Sequence, residues 1–172
     1  MSRMIANERS RTTANEFEGE ERDQAPPSLV AQALRFVLHT VLALAAWVGL
    51  MAVGYAVNPR GVPQWAILAL SLAVPLMVGL IVALIRPDEM ATAVWLVGMI
   101  WFLIVGLWVL DMPTAPGACL QCDATEKLVR TFFGFPGPSG LIDNNGPFIG
   151  TWPAEALVGY SIGAWIGKRR GA

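Results

Sequence analysis

The chain has 172 residues, of which 55% are hydrophobic and 15% charged, and its formal net charge is −1. Soluble domains are less apolar and carry about 25% charged residues, so this composition argues against a soluble enzyme. The near-neutral charge offers no surface for nucleic acid. One histidine and two cysteines cannot form a four-ligand metal site without carboxylates, so we predict no metal and no cofactor.

The chain begins with a polar stretch that mixes acidic and basic side chains. It has too few apolar residues to bury a core, so we predict a disordered cytoplasmic tail over residues 1–27. The membrane domain then covers residues 28–172. Ser28 can cap the first helix, whose opening turns carry Arg35 and His39 on one face. We interpret this pair as membrane-interface residues, and binding of a quinone, a haem or a headgroup is the alternative.

Three apolar runs follow, each long enough to cross a hydrocarbon core about 30 Å thick as a helix. We predict membrane spans over about residues 36–56, 64–85 and 90–110. Short turns containing glycine, proline and charged residues separate the three runs. Consecutive spans are therefore expected to pack as antiparallel neighbours.

The segment over residues 111–150 is too long for an ordinary connection, and we predict an external loop there. Within it, Asp123 and Glu126 have the spacing of a capping box, which predicts a short helix from Ala124 to about Phe133. Its expected apolar face holds four residues: Leu128, Val129, Phe132 and Phe133. An amphipathic helix of this kind often lies in the membrane interface.

A fourth and shorter apolar run covers about residues 152–167, and basic residues follow it at Lys168, Arg169 and Arg170. We predict a fourth span, because the positive-inside rule then places both termini in the cytoplasm and the long loop outside. A helix lying on the membrane surface is the alternative, since the run is short. The predicted fold is an all-α integral membrane protein: a four-transmembrane-helix bundle with a long external loop between helices 3 and 4 and a disordered N-terminal tail.

Cys119 and Cys122 form a CxxC pair, which is a candidate redox site because two thiols at this spacing can close a disulfide. The predicted external location favours a disulfide. Asp123 places a negative charge beside Cys122, which disfavours a reactive thiolate. A structural pair, a redox pair and a shared metal site are therefore all kept as interpretations.

Gly159, Gly163 and Gly167 recur every four residues along the fourth run. Small residues at this spacing let helices approach closely, so we predict a packing face for the other spans, a partner membrane protein or a second copy. Glu155 lies one step earlier on the same stripe. An acid at membrane depth is a functional candidate, and a carboxylate in the first turn of the helix is the structural alternative.

Together these features predict a non-enzymatic accessory or assembly subunit of a membrane complex. Catalytic groups are scarce, and the glycine stripe requires a partner surface. One alternative is a membrane thiol–disulfide oxidoreductase that uses Cys119 and Cys122, with a quinone as its electron partner. The other is a small ion-coupled transporter that uses Glu155.

Overall fold

The computed structural model of the chain describes residues 28–57, 63–112, 122–133 and 149–171. Every element in these ranges is a helix and none is a strand, which confirms the all-α prediction for the described residues. The helices are α1 (Leu29–Val57), α2 (Gln64–Ile85), α3 (Glu89–Thr92), α4 (Trp95–Asp111), α5 (Ala124–Phe133) and α6 (Thr151–Gly171). The predicted tail over residues 1–27 and much of the predicted loop over residues 111–150 lie outside the described ranges.

The chain divides into two compact units, the first ending at Gln32 and the second beginning at Ala33. In the first unit, the described residues form the start of α1. The N–H of Ala31 donates to Ser28 Oγ at 3.2 Å, and the N–H of Gln32 donates to the Ser28 carbonyl oxygen at 3.1 Å. Ser28 therefore caps the helix, as predicted.

Among the described residues, three helical segments are long and apolar enough to cross a membrane: Leu29–Gly54, Trp65–Ile85 and Glu89–Asp111. They coincide with the first three predicted spans. Many of their long apolar side chains are exposed, including Val41, Ile81 and Ile104, each of which is more than half exposed. Exposed apolar surface on helices of this length fits a lipid environment.

The third of these segments is not one helix, although the sequence predicts a continuous span over residues 90–110. A two-residue turn separates α3 from α4. Asp88 caps α3, because its Oδ1 accepts a hydrogen bond from the N–H of Met90 at 3.0 Å. Ser161 of α6 caps α4, because its Oγ accepts from the N–H of Trp95 at 2.7 Å. A cap supplied by a distant helix leaves no signal in the local sequence.

α6 is the most buried of the helices in the second unit. It packs along α2 and also contacts α3 and α4. α1 reaches α6 through a hydrogen bond between His39 and Tyr160 and through an apolar cluster that contains Trp47 and Trp152. The helix with the weakest apolar run in the sequence is therefore the one that the other helices surround.

The contacting residues give the directions of the helices. Along α2 and α6 the residue numbers rise together: Leu72 with Gly159, Leu76 with Gly163, and Leu80 with Gly167. Along α4 and α6 they change in opposite senses: Trp95 with Ser161, and Gly98 with Ala154. α2 and α6 are therefore parallel, and α4 is antiparallel to both.

α6 is 21 residues long and extends beyond the predicted run over residues 152–167. The three basic residues that follow this run continue the helix instead of ending it. At about 1.5 Å per residue, its length is about 31 Å, close to the thickness of a hydrocarbon core. Glu155 and the basic residues make α6 less apolar than the three segments named above, and it is not among them.

α5 has the predicted bounds, and Asp123 caps it by accepting the N–H of Glu126 at 2.7 Å. It packs on the second half of α4, where the ring of Phe132 stacks on that of Phe102 at 4.0 Å. The predicted apolar face is only partly correct, since Val129 and Phe133 are exposed. The buried face instead includes two polar residues: Lys127 and Thr131.

Candidate functional site

The glycines of α6 face the backbone of α2. A Cβ atom added at Gly159 would lie 2.5 Å from the carbonyl oxygen of Leu72, and one added at Gly163 would overlap another α2 carbonyl oxygen. At Gly167 the nearest atom would be the Cβ of Ala83, at 2.7 Å. Any side chain larger than hydrogen at these positions would push the two helices apart.

α2 contributes a matching stripe that the sequence analysis missed. Its members are compact, buried and spaced four residues apart: Ser71, Pro75, Gly79 and Ala83. That spacing is readable in the sequence and could have paired α2 with the glycine stripe. Because α2 of the same chain covers the glycine face of α6, that face is not free for a second protein. A partner contact through the glycine stripe is therefore replaced by an intramolecular one.

Glu155 lies beyond the first turn of α6. The helix begins at Thr151, and its first turn contains no acidic residue. This position differs from the predicted one, in which Glu155 is a first-turn carboxylate that the helix dipole stabilises. The difference arises because α6 begins before the apolar run does.

Glu155 lines a partly open cavity of about 200 Å³ where α2, α4 and α6 meet. The other lining residues are mainly apolar: Leu72, Gly98, Met99, Phe102, Thr151, Ala154 and Val158. The hydroxyl of Thr151 is already engaged, since it donates to the carbonyl oxygen of Phe132 at 2.5 Å. Glu155 is therefore the ionisable residue among those that line the cavity.

The carboxylate of Glu155 is not satisfied within the described part of the chain. Its Oε2 atom is buried and has no hydrogen-bond partner among the described residues. A buried carboxylate oxygen without a partner is unfavourable when it is ionised, so such a group is usually paired or protonated. Oε2 is therefore able to take up a proton or to accept a hydrogen bond from a donor outside the described residues.

A second polar cluster lies further along α6, around Tyr160. His39 Nδ1 and the Tyr160 hydroxyl are 2.7 Å apart and buried. His39 Nε2 lies 3.6 Å from Asp88 Oδ2, and Arg35 lies 4.0 Å from the same oxygen. The structure therefore brings the predicted pair Arg35 and His39 together with two residues that the sequence analysis did not select. This cluster joins α1, the start of α3 and α6.

The CxxC pair is only partly within the described residues. Cys122 is disulfide-bonded and directly precedes Asp123, the cap of α5. Cys119, the other cysteine of the sequence, lies outside the described ranges. Among the described residues there is no group of three or more metal-ligating side chains. Cys122 therefore belongs to the connection before α5, away from the Glu155 cavity.

The chain thus has two distinct polar sites on α6, an unsatisfied carboxylate in a cavity and a satisfied cluster around His39 and Tyr160. A polar group that lacks a hydrogen-bond partner in a concave apolar site indicates a binding site. Comparison with known proteins assigns the chain to no family, because no family model, curated protein or solved structure matches it.

Proposed function

We propose that the chain is a non-enzymatic accessory subunit of a membrane complex and that Glu155 is its docking residue. Two observations on Glu155 carry this proposal: its buried Oε2 has no partner among the described residues, and its side chain lines a partly open apolar cavity. A transmembrane helix that inserts an amide, lysine or arginine side chain would satisfy the carboxylate. Hydrogen bonds of this kind hold helices together in membranes.

The proposal includes four spans, with α6 as the fourth. Its parallel packing along α2 supports a crossing in the same direction, because Gly159 and Gly167 contact α2 residues at matching intervals. The positive-inside rule then places both termini in the cytoplasm and the connection between α4 and α6 outside. In this arrangement Glu155 lies in the outer half of the membrane.

The docking surface that we propose is the outward stripe in the first half of α6. Glu155 and Val158 are half-buried there, in contrast to the buried residues on either side of them. Both also line the cavity. A helix lying along this stripe would bury apolar side chains and bring a donor to Glu155.

Crosslinking in native membranes tests the proposal. A photoreactive amino acid at Val158 should crosslink to one partner membrane protein, whereas the same group at Ile104, on an exposed part of α4, should not. Glu155→Leu should abolish the Val158 crosslink. Glu126→Gln is the matched control, because that carboxylate pairs with Arg130 at 2.5 Å on α5 and should have no effect. A Val158 crosslink that persists in Glu155→Leu would refute the docking role.

Ion-coupled transport is a second candidate, because the same unsatisfied carboxylate could bind and release a proton. It predicts a pH-driven flux in proteoliposomes that Glu155→Gln abolishes. A flux that depends on Glu155, together with no partner crosslink, would favour the transporter over the subunit.

Thiol–disulfide exchange is a third candidate, supported by the disulfide at Cys122. It predicts that the bond is reduced and re-formed in cells, with quinone as the electron acceptor. Alkylation mass shifts during growth would measure this cycling, and a bond that stays oxidised throughout would mark the pair as structural.

A further inference from the structure

We propose that the ends of α2 and α6 bind the phosphate group of an anionic phospholipid. The site consists of Arg86, Arg169 and Arg170, called the arginine cluster below. It lies at the opposite end of α6 from Glu155 and does not depend on the proposed docking function.

The arginine cluster has no carboxylate partner among the described residues, because both nearby acids are engaged elsewhere. Glu89 Oε1 accepts a hydrogen bond from Lys168 Nζ at 2.7 Å. Asp88 caps α3 and lies 3.6 Å from His39 Nε2 and 4.0 Å from Arg35. The three arginines therefore form a local excess of positive charge.

The close packing of α2 on α6 brings the arginines to one level. A Cβ atom at Gly167 would lie 3.4 Å from the backbone nitrogen of Leu84, so the last turn of α2 contacts α6 about one turn before α6 ends. Arg86 follows Leu84 by two residues, and Arg169 follows Gly167 by two residues. Because the helices are parallel, their arginines lie at the same end of the bundle.

Arg169 is held in place by an aromatic ring. Its guanidinium lies 3.6 Å from the centroid of the Trp165 ring. This cation–π contact orients the guanidinium while its N–H groups remain available, and a guanidinium can donate two hydrogen bonds to one phosphate. Trp165 is 47% exposed, and exposed tryptophans are enriched at the membrane interface.

The surroundings of the cluster favour a lipid over a soluble phosphate. Ile162 and Trp165 precede Arg169 on the same stripe of α6, and both are exposed. An acyl chain could lie on these two side chains while its headgroup reaches the arginines. Basic clusters at the ends of membrane helices recognise anionic headgroups in this way.

Native mass spectrometry of the full chain in detergent, with equal amounts of phosphatidylglycerol and phosphatidylcholine, tests the site. The wild-type chain should retain phosphatidylglycerol preferentially. Arg169→Gln should weaken this retention about fivefold, and the triple Arg→Gln variant on the order of 100-fold. Arg130→Gln is the control, because Arg130 is paired with Glu126 on α5 and lies outside the cluster.

Arg169→Lys keeps the positive charge and is a control for misfolding of the Arg169→Gln variant. It should lose less phosphatidylglycerol than Arg169→Gln. Equal retention of the two lipids by the wild-type chain would overturn the proposal, as would equal losses in Arg169→Gln and Arg130→Gln. Displacement of phosphatidylglycerol by millimolar inorganic phosphate would identify a soluble anion as the occupant and would overturn the lipid assignment.

Discussion

At the scale of single residues, the hydrogen bond between His39 and Tyr160 is the main polar contact between α1 and α6. Both side chains are buried, and the two atoms are 2.7 Å apart. His39 therefore has a hydrogen-bond partner at Nδ1 and a carboxylate near Nε2, where Asp88 lies 3.6 Å away. This arrangement supports a structural role for His39 over the alternative that it binds a quinone, a haem or a headgroup.

We expect Tyr160→Phe to destabilise the chain by about 1 kcal/mol, because it leaves a buried ring nitrogen of His39 without its partner. The free energy of unfolding can be measured by titration with sodium dodecyl sulfate in mixed micelles. A double-mutant cycle with His39→Leu should show that the two changes are not additive. Additive losses would mean that the two side chains do not interact.

The sequence indicates part of this cluster. Helical spacing places Arg35 and His39 on one face of α1, and the structure agrees. Their partners could not be predicted, because Tyr160 is 121 residues from His39 and the contact depends on how α6 packs. The Glu155 site was also only partly predictable. Its position in the sequence indicates an intramembrane acid, whereas the cavity forms where three helices meet and could not be predicted.

At the scale of helices, the contact between α2 and α6 depends on the absence of side chains. Gly163 is the point of closest approach, where an added Cβ would overlap the carbonyl oxygen of Leu76. Backbone atoms cannot move aside as a flexible side chain can. The glycine stripe was readable in the sequence, whereas the helix that covers it became evident only from the structure.

We expect Gly163→Ala to destabilise the chain by about 1–3 kcal/mol, because the methyl group must separate two packed helices. Gly167→Ala should cost less, since its added Cβ would lie 2.7 Å from Ala83 Cβ and 2.9 Å from the Leu80 carbonyl oxygen, without the overlap found at Gly163. Gly49→Ala is the control, because a Cβ there meets nothing within 4 Å. Unfolding in sodium dodecyl sulfate would rank the three variants, and equal stabilities of Gly163→Ala and Gly49→Ala would contradict the close contact.

Lys127 fixes α5 on the end of α4. Its Nζ donates to the carbonyl oxygen of Met112 at 2.6 Å and lies 3.5 Å from that of Leu110, so it satisfies groups that the helix end leaves free. We expect Lys127→Met to loosen α5 and to increase its amide hydrogen exchange. Arg130→Gln should leave the amide hydrogen exchange of α5 unchanged, because Arg130 pairs with Glu126 of the same helix. Equal protection of α5 in Lys127→Met and the wild type would show that Lys127 does not hold the helix.

At the scale of the whole molecule, two polar contacts lie at opposite ends of the third apolar segment, Glu89–Asp111. Lys168 of α6 pairs with Glu89 at its start, and Lys127 of α5 reaches Met112 just after its end. α6 therefore runs back along this segment, from the end that Lys127 contacts to the end that Lys168 contacts. Glu155 and the basic residues at its end make α6 less apolar than the other long helices, although most of its apolar residues are buried by them. These charged residues explain why α6 has the weakest sequence signal of a span.

Labelling with a membrane-impermeant maleimide tests the four-span arrangement in intact cells. In a background with Cys119→Ser and Cys122→Ser, we expect Glu89→Cys and Arg170→Cys to be protected from external reagent. Glu126→Cys should be labelled, because α5 is tied to the other end of the third segment. Permeabilised cells provide the control, since all three cysteines should then react. External labelling of Arg170→Cys together with Glu126→Cys would mean that α6 does not cross, because both of its flanking regions would lie on one side of the membrane.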